Sequence, residues 1–318
     1  MAWTFWQCQS GSDAAPKFEK LSNNNHSTIG NIATLSPWLG INTVASNQAG
    51  MVNLPQFNFI DQLTGGSSIW DSSGKQLASS KAGTWTKPEE PAIIYATIDT
   101  NRKSGQKEFW LKHRRPELYG IYNLYKAPVD PVTNNTQNQI AALLIQYDPV
   151  NGDVDANAKK VEGLIKANPN GFNLAVLPFN SFLGKVTLDK SNIAKYAESL
   201  DGKSATLASK LAKNYRTYLL FSMPELKDGK YYETAVLFDF NGKQAGVYRK
   251  SHLNDGERQW ATAGNDLPVF STNDLGRVAV MLNDEVRIPE LTEVYALNRA
   301  DLILIPTMYD GKGYGGAV

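Results

Sequence analysis

The 318-residue chain carries one thiol, Cys8, and three imidazoles, His26, His113 and His252. The histidines stand too far apart to share an ion at zinc-ligand spacing, so neither a metal nor any other cofactor is expected. A single cysteine excludes an internal disulfide framework, and a lone free thiol more often packs than reacts. Cys8 also lacks a sequence-local base to turn it into a thiolate. His252, inside RKSHL, reads as a hydrogen-bonded loop residue rather than a catalyst. Asp284 and Glu285 could each take a proton, but side chains on consecutive positions leave the backbone in different directions. Neither a GxSxG elbow nor a phosphate-cradling glycine loop is present, and GGSS at 65–68 reads as a strand entry.

The rest of the composition narrows the partners. With 42% hydrophobic and 20% charged residues the chain can bury a full core, which excludes a wholly disordered protein. A net charge of +1, without a dense Lys/Arg stripe, gathers neither nucleic acid nor an anionic membrane. The opening MAWTFWQCQSGSD lacks a basic segment followed by an apolar core, and no run is apolar enough to span a bilayer. The expectation is an unprocessed, soluble, cytoplasmic protein.

Short apolar strands alternate with helical stretches from residue 139, the pattern of a layered α/β fold. Residues 140–146 read as a buried strand. After the turn at 148–152, residues 153–166 place Val154, Ala158, Val161, Leu164 and Ile165 on one helical face. Strands follow at 173–177 and 218–222, with an interrupted helical pattern over 188–213 between them. Residues 234–239 and 244–249 form a hairpin around Asn241-Gly242, a pair that supplies positive φ angles. A β-α-β unit over 277–282, 288–298 and 302–306 completes this part.

The first part differs in texture. It has a helical candidate at 27–38, a strand at 41–46, a hairpin around Asp71-Ser72-Ser73-Gly74 and a strand at 92–98 that leads into the basic run 112–115. Residues 126–139 carry almost no apolar pattern and read as a linker.

Segment by segment, residues 139–310 resemble the carbon-nitrogen hydrolase, or nitrilase, superfamily. IQYDPVNGDVDANAKKVEGLI is similar to its opening strand and helix, NLAVLPFNSFLG to its base-bearing loop, YRKSHLNDGERQWATAG to its lysine loop and RVAVMLNDEVRIPE to its nucleophile strand and elbow, followed by ADLILIPTMYDG. TIGNIATLSPWLGINTVASNQAG, GGSSIWDSSGKQLASS and HRRPELYG resemble what normally comes after that point. The resemblance therefore implies an α/β fold, a four-layer α-β-β-α sandwich whose halves stand in permuted order. Residues 1–318 would form one domain, with 1–120 as the downstream half, 121–138 as linker and 139–318 as the upstream half. The competing explanation is a piece of a tandem protein; permutation is favoured because the two parts add up to one domain.

Family members act through a cysteine nucleophile, a glutamate base and a lysine that stabilises the oxyanion, with a second glutamate bracing the lysine. Residue by residue, the resemblance gives Lys250 and Glu257 as the surviving lysine and second glutamate. The nucleophile position is Asn283, ahead of Arg287 and Pro289-Glu290, and the base position is Phe179. Asn180 carries an amide that does not titrate usefully and cannot stand in as the base.

This leaves a homologue expected to be inactive, a binding or scaffolding subunit with a pocket among Asn180, Asp284, Glu285, Arg287 and Met308 for a small amide or carboxylate ligand. It would assemble as a homodimer or higher homo-oligomer, or with an active relative. The alternatives are a working hydrolase using Cys8, or a water activated by Asp284 or Glu285, and an engineered substrate trap. In a closed site Lys250 must lower its pKa or find a carboxylate: Glu257, Asp284 or Glu285.

Overall fold

The computed structural model describes residues 35–46, 49–54, 59–64, 66–80, 92–101, 104–124, 139–168 and 171–308. These divide into two compact units at the Lys112/His113 boundary.

In the first unit, strand β1 (Thr43–Ala45), ladder partners β2 (Ala49–Leu54) and β3 (Phe59–Thr64), and strands β4 (Ser68–Trp70) and β5 (Gln76–Ser79) precede helix α1 (Gly105–His113). β4 pairs antiparallel with both β1 and β5. The expected hairpin turn forms because Asp71 Oδ1 accepts from the backbone N–H of Ser73 and Lys75, at 2.9 and 3.0 Å, and Gly74 takes φ +84°. Helix is present at 35–39; the earlier part of that candidate lies outside the described residues. The strand expected at 92–98 is corrected: this run joins no ladder. The proposed linker also lies mostly outside the described residues.

The second unit is a mixed α/β body. Its strands β6 (Ala142–Leu144), β7 (Leu174–Val176), β8 (Tyr218–Lys227), β9 (Lys230–Phe238) and β10 (Gln244–Arg249) form one sheet in the order β10-β9-β8-β7-β6. β11 (Phe270–Ser271), β12 (Arg277–Val280) and β13 (Leu302–Leu304) form another, with β12 and β13 parallel across helix α5 (Pro289–Leu297). The α-helices α2 (Val154–Ala167), the single turn α3 (Ile193–Tyr196) and α4 (Lys203–Tyr215) precede α5 among the described residues.

Strand periodicity splits the apolar residues between two cores. Ala175, Leu219, Phe221, Met223, Val236 and Phe238 meet Ala158, Val161 and Ile165 of α2 and Ala205, Ala208 and Leu211 of α4. The alternate residues, Leu174, Val176, Leu220, Ala235 and Leu237, meet Val278, Val280 and Leu304 of the other sheet. α2 begins where expected, Asp153 accepting from the N–H of Ala156 at 3.0 Å as its cap. Leu164 is not on the buried stripe. Asn157 is, its amide donating to the carbonyls of Val150 and Phe182 at 2.7 and 2.8 Å. The 188–213 pattern breaks into α3 and α4, whose first turn is held by Glu198 accepting from Ser204. In the β9–β10 hairpin only Gly242 of the Asn-Gly pair takes a positive φ.

Candidate functional site

Lys250 follows β10 directly, and its backbone N–H donates to the Glu233 carbonyl of β9 at 2.8 Å, which carries the lysine off the sheet in a fixed direction. The next turn is built by reciprocal caps: Asn254 N–H donates to Glu257 Oε2 at 2.9 Å, and Glu257 N–H to Asn254 Oδ1 at 3.0 Å. A second turn, Asn283–Arg287, follows β12 and presents Asp284.

These turns converge on one ammonium. Lys250 is wholly inaccessible to solvent, and its Nζ donates to Glu257 Oε1 at 2.6 Å, to Glu257 Oε2 at 2.7 Å and to Asp284 Oδ1. The second Asp284 oxygen accepts from Asn254 Nδ2 at 3.0 Å. An ammonium has three N–H bonds, and all three are spent on carboxylate. Burial alone would lower the lysine pKa, but Glu257, Asp284 and Glu285 outweigh it and hold the group above its ordinary value. Of the two outcomes open to a buried lysine, the chain takes the carboxylate partner. Burial pushes the Glu257 carboxyl up, with Asp284 adding to the effect.

Glu285, the other expected partner, does different work. Its Oε1 accepts from the Tyr248 hydroxyl at 2.6 Å and from the N–H groups of Ser251 and His252, and its Oε2 accepts from Leu282 N–H at 2.8 Å. Burial opposes its ionisation, yet His252, Lys250 and Tyr248 keep its pKa below normal. His252 is the hydrogen-bonded loop residue anticipated: Nδ1 lies 2.8 Å from Ser251 Oγ and Nε2 2.8 Å from the Tyr119 hydroxyl.

Phe179 is buried in the core between the two sheets. Asn283 takes φ +53° at the corner after β12, and its Oδ1 accepts from Met308 N–H at 3.1 Å. Met308 is packed against that same core and Arg287 is half-buried at the end of the turn. Cys8 and His26 lie outside the described residues.

Three features were not anticipated. Arg115 Nη1 donates to the carbonyls of Ser251 and Gly264, at 3.1 and 2.6 Å, so the segment after α1 clamps both ends of the lysine loop. Arg114 adds an ion pair to Glu290 at 2.7 Å and Tyr122 a bond to Glu293 at 2.5 Å. Glu233 is the third. It is 1% exposed, it accepts from Asn180 Nδ2 at 3.1 Å, and both its Oε1 and Asn180 Oδ1 lack a hydrogen-bond partner. Burial, then the charge of Glu257, pushes Glu233 up to about 8. The available signal was a carboxylate inserted ahead of the apolar run TAVLF in a central strand.

Among the described residues, no group of three or more His, Cys, Asp or Glu side chains could hold a metal ion, and no helix is long and apolar enough to cross a membrane.

A probable nitrilase of Schizosaccharomyces pombe is 31% identical over 174 residues, covering 52% of this chain and 62% of that protein. An omega-amidase of Xenopus laevis is 31% identical over 182 residues, covering 52% and 63%. Among solved structures, an amidase from Nesterenkonia sp. matches 54% of this chain and 66% of its own, at 22% identity and a TM-score of 0.48. The chain thus spans less than two thirds of the length of these curated relatives. The carbon-nitrogen hydrolase profile matches residues 141–317, more than half of the sequence, and the chain belongs to that family.

Proposed function

We propose that this chain is a catalytically silent carbon-nitrogen hydrolase homologue that serves as a binding or scaffolding subunit. One observation carries the reading: every N–H of the Lys250 ammonium is committed to Glu257 or Asp284, which leaves no donor for an oxyanion. Asn283 and Phe179 stand where the resemblance puts the thiol and its base, and neither side chain can supply a nucleophile or accept a proton near neutral pH. Losing either partner of such a pair removes nearly all of their joint effect.

The same proposal covers the finer architecture, a four-layer α-β-β-α sandwich in permuted order. It is supported by residues 113–124, the stretch similar to the family's ending, docking through Arg115 and Tyr119 on the lysine loop of the same chain. A small amide or carboxylate as ligand, assembly as a homodimer or with an active relative, and a cytoplasmic setting belong to this reading as well.

A second reading, a hydrolase in which Asp284 is the base, has one observation in its favour: that carboxylate touches Lys250 in a closed site. Both Asp284 oxygens are already occupied, which argues against it.

The test is turnover on a panel of amides, nitriles and carbamoyl compounds, with intact-mass detection of acyl adducts and native mass spectrometry for assembly. No turnover and a defined complex are expected; an adduct on any side chain overturns the proposal.

A further inference from the structure

Glu233 and Asn180 each bury an oxygen without a partner, and the two residues already share a 3.1 Å hydrogen bond. An unpartnered buried oxygen costs free energy, so these two, on side chains bonded to each other, select for something that donates to both once Glu233 is ionised. Charge narrows the choice. Glu233, Glu257 and Asp284 share the single ammonium of Lys250, so the neighbourhood carries a surplus of negative charge. A hard metal ion would need about six oxygen ligands, and only two stand free here. A cation bearing its own N–H bonds meets both conditions.

We propose that Asn180 Oδ1 and Glu233 Oε1 form a receptor for a small primary ammonium group, either the ammonium ion or the end of a short alkylamine. Each oxygen accepts one N–H bond, and the Glu233 carboxylate supplies the counter-charge. The inference rests on reading this centre as one that binds rather than reacts.

Proton and ammonium compete for the same oxygen. The groups facing Glu233 are Asn180 from the turn after β7, Lys250 and Glu257 from the lysine loop and Asp284 from the turn after β12. Lys250 is held above its ordinary pKa and stays charged, and Glu257 and Asp284 are both ion-paired with it, so Glu233, which has no such partner, is the group that exchanges its proton on binding.

The test is thermal unfolding in amine-free buffer at pH 8.5, with methylammonium chloride titrated against tetramethylammonium chloride at matched ionic strength. Methylammonium is expected to raise the midpoint saturably and tetramethylammonium, which has no N–H, to leave it unchanged. Apparent affinity should fall about tenfold for each pH unit below the Glu233 pKa of about 8. Glu233→Gln should abolish the effect. Asn180→Gly, which suits the φ of +47° at that position, should weaken it at least tenfold. Equal responses to both salts, or full retention in either variant, would mean that the effect does not arise at these two oxygens and would overturn the proposal. Turnover on the amide panel would sink the silent-homologue reading and leave this receptor standing; inertness without a methylammonium response would do the reverse.

Discussion

The ring of Tyr119 lies nearly parallel to that of His252, 14° apart in tilt with centroids 5.8 Å apart, while its hydroxyl reaches Nε2 at 2.8 Å. One tyrosine thus holds the loop residue two positions beyond Lys250 by contact and by hydrogen bond. Tyr119→Phe keeps the ring and removes the bond. Its expected cost is about 1 kcal/mol, read as a lower urea midpoint with unchanged slope. Arg115→Ala should cost more, since it strips donors from the buried carbonyl ends of the loop at Ser251 and Gly264.

Lys250→Met is expected to destabilise the fold by about 3–5 kcal/mol, because it leaves the Glu257 and Asp284 carboxylates buried without a counter-charge. A triple replacement that also converts Glu257 to Gln and Asp284 to Asn should recover much of that loss. Chemical denaturation of the parent, Lys250→Met, the Glu257→Gln/Asp284→Asn pair and the triple replacement, compared at one pH, measures the coupling; additive effects would show that the lysine and the two carboxylates act independently.

Glu233 makes stability fall as pH rises. Its pKa is about 8 in the fold against an ordinary 4.5, so between those values the folded chain holds a proton that the unfolded chain has released. The unfolded state binds fewer protons there, the slope of unfolding free energy against pH is negative, and the penalty is complete above pH 8. Glu233→Gln should therefore be more stable than the parent at pH 9, on the order of 3–5 kcal/mol, with the advantage shrinking toward pH 5. Urea midpoints of both proteins at four pH values test this.

Replacing Asn283 by Cys is expected to lower stability by about 1–2 kcal/mol, because it removes the acceptor for Met308 N–H and puts a less tolerant side chain at φ +53°, and to yield no acyl adduct on the amide panel, because Lys250 has no N–H to offer the oxyanion. Phe179→Glu should cost on the order of 3 kcal/mol, since it buries a carboxyl in an apolar core. Intact mass after incubation with substrate, alongside thermal midpoints, checks both.

Much of the second unit could be read from sequence because its signals are local. Alternation along 174–177 and 218–223 sorts side chains between two cores, and the Asp153 cap fixes the start of α2. Lys250 meeting Glu257 and Asp284 was within reach for the same reason, since a buried ammonium must find carboxylate. Asn157 and Glu233 were not legible. Each is a polar residue inside a buried stripe, and whether such a group is satisfied depends on what distant chain brings beside it: Val150 and Phe182 for one, an incomplete Asn180 for the other. The Arg115 clamp spans a sequence separation of 136 to 149 residues, beyond any periodicity argument.

Asn283 holds its corner at φ +53°, a backbone setting that asparagine tolerates better than most side chains. Contour and reagent are consequently separable at this point of the chain. The bend that would aim a reactive atom survives as pure scaffolding, with its amide turned to fastening Met308, so the position can trade chemistry for architecture without redrawing the path of the main chain.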